Sequence, residues 1–97
     1  MAAYIIADIE EITDTAAFQA YAGKAGATIP KYDGRPRVAR GKLEVLEGTW
    51  KPVNHVILEF PTAERAREWY HSQEYHPLVA DRQKAAKGNN LILIEGI

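Results

Sequence analysis

The stretch from Glu59 to Tyr75 constrains the fold more than any other, because it turns a strand into a helix within three residues. Pro61 lacks the N–H that a sheet ladder needs, and the Thr62 hydroxyl is placed to cap the free N–H groups of a first helical turn. From Ala63 the apolar residues Ala66, Trp69 and Tyr70 recur at helical spacing, while Glu64, Arg65, Arg67 and Glu68 form a charged stripe on the opposite side. The strand that feeds this helix, Val53 to Phe60, puts Val56, Leu58 and Phe60 on one face and His55, Ile57 and Glu59 on the other.

The rest of the chain supplies four more elements. Ala3 to Glu10 reads as a strand, with Ile5, Ala7 and Ile9 pointing one way and Tyr4, Ile6, Asp8 and Glu10 the other. Thr13 or Asp14 caps a helix whose buried stripe is Phe18, Tyr21, Ala22, Ala25 and Ile29, and Pro30 ends or kinks it. Gly23 and Gly26 weaken that helix by about 1 kcal/mol each, a cost that close packing against another backbone would explain. After the Asp33-Gly34 turn, Arg35 to Glu47 is expected to form an extended arm with a bulge or bend at Gly41. Ser72 is expected to cap a second helical piece running to about Lys87, stopped by Gly88-Asn89-Asn90, and Leu91 to Glu95 is the last strand.

Strand, helix, strand, strand, helix, strand, joined by right-handed crossovers, is an α+β ferredoxin-like plait: a four-stranded antiparallel sheet of order 4-1-3-2 with helices on one face. The other face would carry Tyr4, Ile6 and Ile57, with either Ile92 and Ile94 or Leu91 and Leu93. Water does not favour such a patch, so a homodimer joined through the helix-free face is expected. The 97 residues form one domain in this reading, and its core buries ~60–65% of the unfolded surface.

Composition excludes several function classes. A net charge of −1 gives no field that would gather nucleic acid or an acidic membrane. The absence of cysteine removes disulfides, thiolate metal sites and cysteine nucleophiles. The N-terminal residues have no basic leader, and no apolar run reaches the ~18 residues of a membrane span, so a cytoplasmic location is expected. Neither a phosphate-binding glycine loop nor a Gly-x-Ser-x-Gly elbow occurs. His71 and His76 are five apart, which does not stack them on one helix face, so neither a metal nor any cofactor is expected.

Two sets of candidate site residues remain. Asp8, Glu59 and His71 are the acid–base candidates, since a carboxylate or imidazole in a half-apolar setting acquires a shifted pKa. Trp69, Tyr70 and Tyr75 offer apolar walls with a polar tip, Ser72 lies between them, and Arg40 offers a planar fork for a ligand carboxylate. Arg40 and Glu59 lie in the two arms of one hairpin and are expected near a shared pocket, with Arg37 or Arg40 as the alternative partner of Asp8, His55 and Glu59 at a dimer interface. The residues thus support a binder of a small acidic or aromatic molecule, with a cofactor-independent enzyme or a non-catalytic dimeric scaffold as alternatives.

The run Phe60-Pro61-Thr62, Trp69-Tyr70-His71-Ser72, Glu74-Tyr75 and Arg82, with Tyr32-Asp33-Gly34, Val38-Ala39-Arg40-Gly41, Glu44 to Gly48 and the closing Leu91 to Gly96, resembles the family called domain of unknown function 1330. The resemblance implies a dimeric α/β-barrel, two ferredoxin-like protomers joining their sheets. That superfamily also includes cofactor-free antibiotic-biosynthesis monooxygenases and haem-dependent chlorite dismutases. It implies no particular activity.

Overall fold

The computed structural model describes Met1–Ile97. Thr62 caps the pivotal helix as its position requires: Oγ1 accepts a hydrogen bond from Arg65 N at 3.1 Å. In chain order the elements are β1 (Ala3–Ile12), α1 (Thr15–Thr28), a 3₁₀ turn (Ile29–Tyr32), β2 (Arg35–Ala39), β3 (Asn54–Phe60), α2 (Ala63–Tyr70), α3 (Leu78–Ala85) and β4 (Ala86–Glu95). The strands form one antiparallel sheet in the order β2-β3-β1-β4, the expected 4-1-3-2 read from the other edge. Of the two capping candidates for α1 it is Asp14 that serves, accepting from Ala17 N at 3.0 Å. No helix is long and apolar enough to cross a membrane.

Cross-strand register sorts the sheet residues by face. On one side Ile5, Leu58 and Phe60 pack with Ala25, Ile29, Ala66, Trp69 and Tyr75 in the core beneath the helices. On the other, Ile92, Ile6, Ile57 and Val38 lie in one row, Ile94, Tyr4, Glu59 and Arg35 in the next, and Asn90, Asp8 and His55 in a third. The apolar pair that β4 presents there is Ile92 and Ile94, at 55% and 50% exposure, while Leu91 and Leu93 pack toward the core.

Four expectations are corrected. The arm after Gly34 pairs as a strand only to Ala39. Residues 40–53 form no regular structure, and Leu46 and Trp50 stand in solvent, because nothing in the same chain offers them a ladder partner. The bulge lies between Pro36 and Val38, since proline cannot donate to the ladder and the strand must shift register around it, while next to Gly41 the chain makes the bend alone, at Arg40 with φ +54°. β4 begins at Ala86, before the expected glycine-asparagine stop. Here β1 runs on to Ile12 and pairs Glu11 with Lys87 and Ile12 with Ala86 in unbroken register, with Gly88 at φ +64° inside the strand. A Cβ at Gly23 or Gly26 would meet nothing within 4 Å, so no close backbone approach requires either glycine. Gly34 is the glycine that packing does demand, because a Cβ there would sit 2.6 Å from the Phe60 ring.

Candidate functional site

Between α1 and the helix-side face of the sheet lies a cavity of about 200 Å³. Ile5, Ile9, Phe18, Ala25 and Leu58 give it apolar walls, Gly26 leaves room on the helical side, and Trp69 and Tyr75 close one end. The only charged group on its wall is Arg82; no aspartate, glutamate or histidine borders it.

The chain folds this way locally because the end of α2 is locked by Ser72. Its Oγ donates to Trp69 O at 2.7 Å and accepts from Tyr75 N at 3.1 Å. That turn drives the Tyr75 ring inward onto Trp69, where the two rings stack at 3.9 Å between centroids. Trp69 is held from the other side, its Nε1 donating to Thr28 Oγ1 at 2.9 Å. Tyr75 is fully buried, yet its hydroxyl is satisfied: Arg82 Nη1 donates to it at 2.8 Å, and Tyr21 Oη lies at 2.8 Å on its other side. Arg82 is itself only 4% exposed, and Asn89 Oδ1 accepts from its Nε at 3.1 Å.

Electrostatically this cluster is one-sided. Burial, then the neighbouring Tyr21, pushes the Tyr75 phenol far above its ordinary value, outweighing the Arg82 charge that pulls it down, so Tyr75 stays neutral. No carboxylate lies within salt-bridge reach of Arg82. Its closest compensation beyond hydrogen bonds is the Tyr21 ring, 5.9 Å from the guanidinium carbon. A second tyrosine network, on the surface, has a different character. Tyr32 Oη donates to Glu74 at 2.9 Å, and that bond raises the phenol and lowers the carboxyl.

The sequence-derived candidates divide accordingly. Trp69 and Tyr75 stand at the cavity. Tyr70 packs edge-on against Trp69 but faces a separate surface groove together with His71. Ser72 is buried with its hydroxyl used in both directions by the backbone, and it fastens the turn at 72–75 instead of capping α3, which starts at Leu78 without a side-chain cap. His71 is exposed and stacks obliquely on His76 at 5.7 Å. No cluster of three or more His, Asp or Glu is arranged to hold a metal ion.

Asp8 and Glu59 lie on the helix-free face, across the sheet from the cavity. Glu59 is paired there with Arg37 at 2.7 Å, not with Arg40. The early bulge turns Arg37 to Glu59, while Arg40, beyond the strand end at φ +54°, is exposed and contributes its backbone N–H to His55 O. Beside them His55 Nδ1 is buried and has no hydrogen-bond partner in the chain.

Arg82 and Tyr21 carry the polar end of the cavity, with Asn89 holding Arg82 from behind, and sequence reasoning does not reach any of the three as a site residue. Arg82 sits among Asp81, Lys84 and Lys87, and in sequence such an arginine is indistinguishable from a solvated one. The available signal was the spacing of Tyr75 and Arg82, seven residues or two helical turns, but Pro77 intervenes and obscures it.

Comparison with known structures supports the architecture. A protein of unknown function from Rhodopseudomonas palustris is 19% identical, with a TM-score of 0.75 over 99% of this chain and 82% of that one. A dimeric ferredoxin-like protein of unknown function from Jannaschia sp. CCS1 is 9% identical, with a TM-score of 0.73 over 99% of this chain and all of that one. SnoaB, a cofactor-independent oxygenase from Streptomyces nogalater, is 10% identical, with a TM-score of 0.69 over 99% of this chain and 93% of that one. At these identities the likeness speaks of fold alone. No curated protein matches the sequence. The ferredoxin-like sheet, the helices on one face and the match of the family model over residues 2–97 agree, and the chain belongs to the family of domain of unknown function DUF1330.

Proposed function

We propose that the protein is a homodimer that binds a small, single-ring molecule in the cavity between α1 and the sheet. The observation that carries the binding half is Gly26. A glycine inside a helix costs about 1 kcal/mol relative to alanine. Here no neighbour requires it, and it is an exposed residue on the rim of the cavity. Space kept at a cost to stability is what a ligand site needs. A dry apolar cavity of ~150 Å³ accepts benzene, so about 200 Å³ suits one ring with one substituent.

The dimer half is supported by the row of Ile92, Ile6, Ile57 and Val38 on the helix-free face. His55 Nδ1, buried there without a partner, adds to it, as do Trp50 at 73% and Leu46 at 84% exposure in the unpaired arm. The dimeric neighbour of the same fold agrees with this reading.

Acid–base catalysis by Asp8, Glu59 or His71 draws less support, because none of the three borders the cavity. The oxygenase activity of the Streptomyces neighbour reaches this chain only by fold analogy.

The test is a Gly26→Leu variant, which fills the cavity from α1. Binding of toluene and benzoate is followed by amide chemical shifts of cavity residues. Saturable shifts in the wild type that vanish in the variant support the reading; the same shifts in both proteins, or none in either, overturn it.

A further inference from the structure

Resting on that reading of the cavity, the question is what chemistry its polar end accepts. Arg82 is a buried guanidinium, a group that does not deprotonate in proteins, with no carboxylate to balance it. A buried charge without its counter-charge is costly, so the ligand-free protein holds a site that an incoming anion relieves. Nε and Nη1 are engaged by Asn89 and Tyr75, and Nη2 makes no hydrogen bond within the chain.

The direction of the hydrogen bonds around Tyr75 follows from donor counting. Arginine only donates, so Tyr75 Oη accepts from Arg82. The Tyr75 proton, fully buried, has Tyr21 Oη at 2.8 Å as its one available acceptor. Tyr75 therefore donates to Tyr21, and the Tyr21 proton has no acceptor left in the chain. Tyr21 is part of the cavity wall, so the chain from Arg82 through Tyr75 ends on a wall residue whose O–H is not committed within the chain and is polarised by the positive charge behind it. Every polar side chain meeting the cavity at this end is a donor, and none is an anionic acceptor.

We infer that this end of the cavity is a carboxylate receptor, with Arg82 supplying the charge and the Tyr21 hydroxyl the terminal hydrogen bond, and that the ligand class is the small single-ring monocarboxylic acids. A cationic amine would set donors and a second positive charge against Arg82, and an alcohol could accept from these donors but brings no charge to balance the guanidinium. A second carboxylate on the ligand would have to lie against apolar walls.

The probes are benzoate, its neutral isostere benzamide and apolar toluene, titrated by calorimetry into the wild type, Tyr21→Phe and Arg82→Met. Benzoate is expected to bind at least tenfold more tightly than benzamide to the wild type. Tyr21→Phe, which keeps the ring, lowers benzoate affinity about tenfold and benzamide affinity much less, and Arg82→Met abolishes the preference. Equal affinity for the two probes in the wild type, or an unchanged ratio in Tyr21→Phe, overturns the assignment. The Tyr21→Phe arm decides even where Arg82→Met fails to fold. Binding of benzamide and toluene but not of benzoate sinks the carboxylate receptor while leaving the cavity a ligand site. Binding of none of the three sinks both readings together.

Discussion

Replacing Trp69 by alanine tests whether this residue is chiefly a support of the fold or chiefly a wall of the cavity. The side chain is 2% exposed, stacks on Tyr75 at 3.9 Å, meets Phe60 at 5.5 Å and donates to Thr28 at 2.9 Å. Truncating a buried tryptophan costs about 3–5 kcal/mol from lost transfer energy and the void left behind. The aromatic pairs and the hydrogen bond place this site in the upper half of that range. Thr28 Oγ1 keeps its bond to Ala25 O, so the alanine variant leaves no orphaned hydroxyl donor to raise the cost further. The expected loss, about 4 kcal/mol, is a large share of the ~5–15 kcal/mol that holds a domain together. Urea denaturation followed by far-ultraviolet circular dichroism reads it. With a slope of ~1–3 kcal/mol/M, the midpoint falls by about 1.3–4 M at constant protein concentration. Thr28→Val, which leaves the indole N–H buried and unpaired, is expected to cost about 1–3 kcal/mol in the same assay. A loss below about 1 kcal/mol in Trp69→Ala, with toluene and benzoate binding abolished, would refute the structural role and make Trp69 a ligand contact alone.

Two further outcomes are expected. Ile57→Lys puts a charge in the central apolar row of the helix-free face and should give a monomer or an insoluble chain, and an unchanged dimer by light scattering would reject that interface. Tyr75 has a raised folded-state pKa, so its contribution is fully present below the unfolded phenol value of ~10. It is lost as pH climbs above that value, because the unfolded chain releases a proton that the folded one retains. Wild-type stability should therefore fall by up to about 1.4 kcal/mol per pH unit more steeply than that of Tyr75→Phe above pH ~10, and parallel profiles would contradict the buried neutral phenol.

The sequence by itself determined the elements whose information is local. Pro61 and Thr62 set the boundary of α2 because a missing N–H and a capping hydroxyl act within one turn of chain. Alternation in β1 and β3 sorted Ile5 and Leu58 from Ile6 and Ile57 because side chains alternate along any strand. Element order then restricted the topology, since crossover handedness leaves few arrangements. Where an outcome depended on a partner distant in sequence, local pattern carried no trace of it. The bulge at Pro36 decided that Arg37, not Arg40, meets Glu59, and the length of β1 decided that β4 starts at Ala86. The same holds for the polar end of the cavity. Tyr21, Tyr75 and Arg82 come from three separate segments, and each alone reads as a helix-face aromatic or a solvated charge. Only packing α1 on α3 and α3 on β4 buries Tyr75 and Arg82, and that desolvation turns an ordinary arginine into a buried charge without a counter-ion.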